Sequence, residues 1–448
     1  METSERRTTP IYPLISFRII FGLLMLFSTL RFMALGWIED HYIDTQFHFH
    51  YFGFEWIEPL GRSAIYFIHG LMVLAALFVC IGLWYHWSAL ILFLSFTYVE
   101  LIDLTYYLNH YYFVSLVCFA LIFLPANRAF SVDVQLGRVK FCNQVPPWTI
   151  NCLLLLISIV YLYAGLAKVN TAWLLEAMPL KLWLPAHNKM PILGPIFDWE
   201  ITPYLFSWFG MIYDTFIVVL LLLPATRSIA YVFVVVFHLM TGLLFQIGVF
   251  PIVMIGVTTL FFSAQWHKNQ LLRLSKVISP SQYNLLKREE VYPLSYSIIQ
   301  SKLATVALVL FFGFQLLFPW RYLLYPGNLF WTEEGYRFSW RVMLMEKSGS
   351  ATFYVKDSKT QREGRVVNTR FLNDHQIKQM AMQPDMILQF AHFLGAYYAA
   401  QGVHQPQVRA EVYVTLNGQP SRKLIDDQLD LMQIQDSWQP KDWILPLD

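Results

Sequence analysis

Nine apolar stretches recur along the chain, at residues 13–36, 64–85, 87–105, 110–125, 148–168, 202–223, 227–246, 249–264 and 301–318, and they limit the fold more than any other feature. Backbone inside hydrocarbon must satisfy its own N–H and C=O groups, so stretches of about 20 apolar residues cross a bilayer as helices. The fourth and eighth are short for a straight crossing. The first contains Arg18 and is followed by no small-residue cleavage site, so it reads as an anchor and not as a removable signal. Only 14% of the 448 residues are charged, against about 25% in ordinary soluble domains. These features predict an all-α polytopic membrane bundle of about nine transmembrane helices.

The pattern changes after Phe318. Residues 319–448 have ordinary polarity and no further apolar span, which separates a transmembrane domain at 1–318 from a small C-terminal α+β domain at 319–448. Strands are predicted at 351–355, 364–370, 408–416 and 422–425, with Asn417-Gly418 as a hairpin signal between the last two. A helix is predicted over 374–401, kinked near Pro384.

Lysine and arginine set the orientation. Arg6, Arg7, Arg128, Arg138, Lys140, Arg227, Lys268, Arg273, Lys276, Lys287 and Arg288 all fall on one side of a nine-span topology, which makes that side cytoplasmic and the C-terminal domain extracytoplasmic. A formal net charge of +2, with no basic run interleaved with aromatics, excludes a nucleic-acid groove. The four cysteines offer neither a disulfide framework nor a metal-ligand spacing, so no metal is expected.

Candidate chemistry lies at one end of the spans. Lys168 closes the run NCLLLLISIVYLYAGLAK, where an amine at the edge of hydrocarbon is either a snorkelling lysine or a desolvated base. In TYVELIDLTYYLNHYY, Glu100, Asp103, Tyr107 and His110 follow at spacings of three, four and three, which predicts one helical face. Such a stripe is either a packing network or a working site. His238, in FHLMTGLLFQIG, is a third polar residue at the same level. The stretch PWRYLLYPGNLFWTEEGYRFSWRVM supplies Trp331, Tyr336, Trp340 and Arg337, which fit an interfacial aromatic belt or a lip that binds a carboxylate. His41, His48 and His50 lie in an aromatic loop and read as surface residues.

LIDLTYYLNHYY, YLYAGLAKVNTAW, FHLMTGLLFQIGVF with the later LFFSAQW, and FWTEEGYRFSW occur in the order and approximate spacing found in vitamin K-dependent γ-glutamyl carboxylases. The chain resembles that family from the third apolar stretch onward, through NDHQIKQM and AEVYVTLNGQ, and bacterial relatives share its horizontally extended transmembrane module. The resemblance implies vitamin K hydroquinone, O2 and CO2 as reactants and a glutamate-containing peptide as substrate, met at a lipid bilayer. It makes Lys168 the base that deprotonates the hydroquinone. Oxygenation then gives a strong base that takes a proton from the glutamate γ-carbon, the carbanion adds CO2, and the quinone leaves as its epoxide. His110 matches the histidine near the reacting glutamate; Asn109, Asp103, His238 and Tyr163 are expected around the hydroquinone; Trp331, Tyr336, Trp340 and Arg337 match the glutamate-binding region. Where animal enzymes have two adjacent lysines this chain has Ala167 and Lys168. Two further classes stay open: a quinol-epoxidising oxidoreductase that does not carboxylate peptide, and a transporter or proton relay built on Glu100, Asp103 and His110.

Overall fold

The computed structural model describes residues 8–245, 247–294 and 296–447, so Arg6 and Arg7 lie outside the described residues. Among these, seven helices are long and apolar enough to cross a bilayer. They are α1 (Tyr12–Ala34), α2 (Arg62–Ile81), α3 (Tyr85–Ile102), α5 (Trp148–Ala167), α6 (Thr202–Leu222), α7 (Arg227–Leu244) and α10 (Ile298–Leu317). The two stretches that looked short form the shorter helices α4 (Asn109–Phe123) and α8 (Phe250–Thr258). An amphipathic helix, α9 (Ala264–Ile278), follows α8 and lies along α1.

Side chains from distant segments fix where the helices begin and end. Asp133 accepts hydrogen bonds from the Trp84 and Tyr85 amides, at 2.9 and 3.1 Å, and so caps the start of α3. At its other end Asp103 turns out of the helix and accepts from the Thr105 amide at 2.9 Å, starting a short 3₁₀ turn. Arg18, inside the first anchor, is fully buried and donates to the carbonyls of Ala126, at 2.8 Å, and Phe130. Its charge therefore meets backbone dipoles in place of water.

Helices α1, α2, α3 and α4 pack in sequence, α5 packs on α6, and α7 joins α6 to α8. The α5–α6 contact is close because Gly165 carries no side chain; a Cβ there would stand 2.7 Å from the Thr215 amide nitrogen.

The C-terminal region is a four-stranded antiparallel sheet in the order β2-β1-β3-β4, where β1 is Lys347–Lys356, β2 Glu363–Arg365, β3 Gln407–Leu416 and β4 Arg422–Lys423. Val408, Ala410, Val412, Val414 and Leu416 are buried on alternate positions of β3, which sets the core face. Against that face pack α11 (Asp374–Met380) and α12 (Pro384–Ala400), the expected helix broken at Pro384. Two strands are shorter than expected: 364–370 passes into a 3₁₀ turn at Asn368–Arg370, and the Asn417-Gly418 turn opens a five-residue loop, 417–421, in place of a two-residue hairpin.

The core of this region takes in Phe49, Tyr51 and Leu104 from loops between the membrane helices. That packing corrects the expectation of a surface loop: His48 is buried and His41 half-buried, stacked edge-on against Tyr106 at 3.9 Å. His50 is tied through its backbone to Gln389, at 2.9 Å in each direction. The stretch 47–51 packs into the core of the C-terminal region, while residues 52–56 of the same loop are exposed.

Candidate active site

Lys168 stands at the C-terminal end of α5 and is 6% exposed. Its Nζ donates to Asp214 Oδ2 on α6 at 2.7 Å and to the Ala164 carbonyl at 3.0 Å, and it lies 5.4 Å from the centre of the Trp173 ring. The amine is thus half of a buried ion pair, a correction to the expectation of a lone desolvated nitrogen. A net-neutral pair is far cheaper to hold in an apolar site than either charge alone. Asp214 was not singled out in the sequence, yet the signal was there: it is the lone acidic residue in the span 202–223.

The pair borders a cavity of about 120 Å³ whose walls include Trp173, Trp183, Phe206, Phe237 and Phe250. Gly210 leaves room beside the lysine; the nearest atoms to a Cβ there would be Trp173 Cζ2 at 3.8 Å and Lys168 Cε at 3.9 Å. Across the cavity, His238 Nε2 and the Tyr161 hydroxyl share a hydrogen bond of 2.9 Å, and Thr258 lies 3.4 Å from the same hydroxyl. His238 Nδ1 is buried with no partner among the described residues. The arrangement offers two polar pairs, amine–carboxylate and imidazole–phenol, on one otherwise apolar and aromatic lining. Such a space suits a flat ring with an oxygen at each end.

The predicted site residues divide. Lys168 and His238 line this cavity. His110 lies just behind it: its ring stacks on Phe250 at 5.3 Å, and His238 meets the same phenyl edge-on at 5.8 Å. The stripe from Glu100 to His110 is not one helical face, because the chain leaves α3 at Asp103 and re-enters a helix only at Asn109. The Asp103 carboxylate is spent on Thr105 and on Gln376 of α11, at 2.7 Å, and so joins the C-terminal domain to the membrane helices. Burial pushes its carboxyl up to about 6 against those hydrogen bonds. Asn109 bridges the Tyr107 hydroxyl and the Arg341 carbonyl, at 2.9 and 2.8 Å. Tyr163 faces away from Lys168; its hydroxyl donates to the Leu316 carbonyl and accepts from Trp320 at 2.8 Å, holding α10 to α5.

The aromatic stretch divides: Trp320, Leu323 and Leu324 are exposed, but the later tryptophans are not a surface belt. Trp331 and Trp340 are each 1% exposed, the first with its Nε1 on the Leu445 carbonyl at 2.7 Å, the second stacked on Tyr112 at 5.1 Å. Tyr336 lies against Phe330 at 6.3 Å. Arg337 is already paired with Asp385 and bonded to Gln383. Burial alone would push the Asp385 carboxyl up, but the guanidinium outweighs it and holds it below its ordinary value. What this segment does bring to the Lys168 cavity is Val342 and Met343, which form part of its wall. Phe338, Trp340 and Met343 hold φ of 57°, 60° and 54°, a left-handed conformation that costs about 1–3 kcal/mol at each non-glycine residue. The bonds from Asn109 to the Arg341 carbonyl and from the Phe338 amide to the Tyr107 hydroxyl, at 2.7 Å, fix that strained path.

Comparison with known proteins gives two matches that together cover most of the chain. Residues 6–266 match the HTTM domain, and residues 300–448 match the lumenal domain of vitamin K-dependent gamma-carboxylase. No solved structure matches the chain.

Proposed function

Because this chain belongs to the vitamin K-dependent gamma-glutamyl carboxylase family, we propose that it oxidises vitamin K hydroquinone to the epoxide and uses that reaction to carboxylate glutamate in a peptide. The observation that carries the reading is the Lys168 amine, buried beside Asp214 at the edge of a cavity walled by aromatic side chains. Taking a proton from a hydroquinone hydroxyl placed against Nζ requires the amine form of Lys168, and the Asp214 carboxylate stabilises the ammonium that results, which restores the ion pair. The ammonium then faces the oxyanion across a short distance in a low-dielectric site, where its attraction is strong. In this reading His238, whose Nδ1 has no partner among the described residues, hydrogen-bonds the other ring oxygen, with Tyr161 holding its Nε2. A strong base needs a dry site to reach carbon before water quenches it, and the aromatic lining supports that requirement. His110, stacked on the cavity-lining Phe250 at 5.3 Å, is assigned to the glutamate side chain.

A second reading, hydroquinone epoxidation without carboxylation, draws on one observation. Trp331, Tyr336, Trp340 and Arg337, expected at the glutamate, line none of the Lys168 cavity. The two readings separate when purified protein is given vitamin K hydroquinone, labelled bicarbonate and a short glutamate peptide. Carboxylation requires both epoxide and labelled peptide, with Lys168→Ala abolishing both while the protein stays folded. Epoxide alone supports the second reading, and full activity of Lys168→Ala at pH 7 removes both.

A further inference from the structure

A second cavity, of about 660 Å³, opens between α3, α4, α10 and the C-terminal domain and shares no lining residue with the Lys168 cavity. Its membrane half is apolar, walled by Phe93, Leu116, Phe119, Phe311 and Phe314. Polar residues break that surface: Tyr112 and Ser115 of α4, Gln315 of α10, which accepts from the Tyr112 hydroxyl at 2.9 Å, and Thr97 and Glu100, one turn apart on α3. The Thr97 hydroxyl is buried with no hydrogen-bond partner among the described residues. No hydrogen bond or ion pair joins Glu100 to another described residue. A carboxylate in this setting is costly unless a cation or hydrogen-bond donor meets it.

The mouth of the cavity carries both signs, the cations Arg321, Arg337 and Lys441 among the carboxylates of Glu333, Glu334, Asp385 and Asp436. Two of its cations are committed, Arg337 to Asp385 and Lys441 to Asp436. Arg321 is not paired with a carboxylate; it donates to the carbonyls of Phe318, at 3.2 Å, and Arg337, with its guanidinium 4.1 Å from the centre of the Phe318 ring. An unpaired acid and a guanidinium without a counter-anion, over an apolar slot, complement a zwitterion carried on apolar chains. The flanking helix α10 turns Val306, Val309 and Leu310 outward, each more than half exposed, so the slot has a bilayer-facing wall.

We propose that this cavity binds one zwitterionic aminophospholipid, its ammonium toward Glu100 and Thr97, its phosphate toward Arg321 and its acyl chains against the phenylalanines. The proposal is independent of the carboxylase reading, since nothing in it uses Lys168.

The test is native mass spectrometry of the full chain released from detergent after exposure to phosphatidylethanolamine or phosphatidylglycerol. Wild type should retain one phosphatidylethanolamine at least ten-fold more than phosphatidylglycerol, which carries no ammonium. Glu100→Gln should bring the first down to the level of the second, Arg321→Gln should lower both, and Lys168→Ala should change neither. Leu116→Trp, which fills the slot without touching its charges, should abolish retention, and it decides the matter if Glu100→Gln does not fold. Equal retention of the two lipids by wild type, undiminished binding by Glu100→Gln or by Leu116→Trp, or loss of binding in Lys168→Ala would overturn the proposal. Displacement of the lipid by a short glutamate peptide would overturn it too, by assigning the cavity to peptide.

Discussion

Gly165→Ala tests whether the spacing of α5 and α6 sets the chemistry. The added Cβ would stand 2.7 Å from the Thr215 amide nitrogen and 2.9 Å from its Cα, where ordinary contact begins near 3.4 Å. Thr215 Oγ1 is nearer still, and a hydroxyl can rotate aside, but the two backbone atoms cannot, so α6 has to retreat by about 0.7 Å, the difference between 3.4 and 2.7. Lys168 lies one turn beyond Gly165 on α5, and Asp214 directly precedes Thr215 on α6, so the same shift stretches their 2.7 Å contact toward about 3.4 Å. That exceeds the range of a good N–H···O hydrogen bond. Overpacking of this kind costs about 1–3 kcal/mol of stability, which a membrane bundle of this size should survive. Misplacing a catalytic group by about 1 Å costs up to roughly 100-fold in rate, so epoxide formation should fall on the order of 10- to 100-fold. The assay is the initial rate of epoxide formation in reconstituted protein, alongside the thermal midpoint. Gly70→Ala is the control, since no atom lies within 4 Å of a Cβ there. A Gly165→Ala protein with the wild-type rate would refute the claim that the amine–carboxylate distance matters.

Three further outcomes follow from the same geometry. His110→Ala should lower carboxylation more than epoxidation, because the imidazole stands behind Phe250 and not against the lysine; equal loss of both products would remove that assignment. Arg337→Met should cost about 3 kcal/mol by leaving Asp385 buried and unpaired, read as a lower denaturation midpoint; a raised KM for peptide at unchanged stability would instead restore Arg337 as a substrate ligand. Burial holds the His41 and His48 imidazoles down to about 4, so the unfolded chain binds more protons than the folded one between about 6.5 and 4, and stability should fall as pH drops through that window. Asp103, held up to about 6, acts in the opposite sense over part of the same range, so the measurement is the difference between wild type and His48→Phe, whose midpoint should vary less with pH.

The membrane bundle was legible because hydrocarbon admits so few backbone solutions: each long apolar stretch became a helix, and the two short ones became short helices. The polar stripe misled because a spacing of three and four persists on paper through a helix break. The cue against it was Asp103 two residues before Thr105, a side chain poised to take the Thr105 amide and end the helix. Lys168 was found from its position at the end of an apolar run, but its partner was not. A single aspartate within span 202–223 is an anomaly in the sequence, and only the packing of α6 on α5 says which cation answers it. Burial of His48 and of the tryptophans at 331 and 340 was beyond reach for a related reason. Each is covered by residues far away in the chain, and an aromatic loop reads the same whether water or another domain lies above it.

The wall that Val342 and Met343 lend to the Lys168 cavity ties the fate of one half of the molecule to the other. Residues 6–266 hold the amine, its carboxylate and the imidazole, yet by themselves they leave one side of that chamber missing. Grafting the lumenal portion of a relative onto this membrane module would therefore succeed or fail on a few residues of left-handed backbone at 338–343, whose fit decides whether the seam between the grafted parts is watertight.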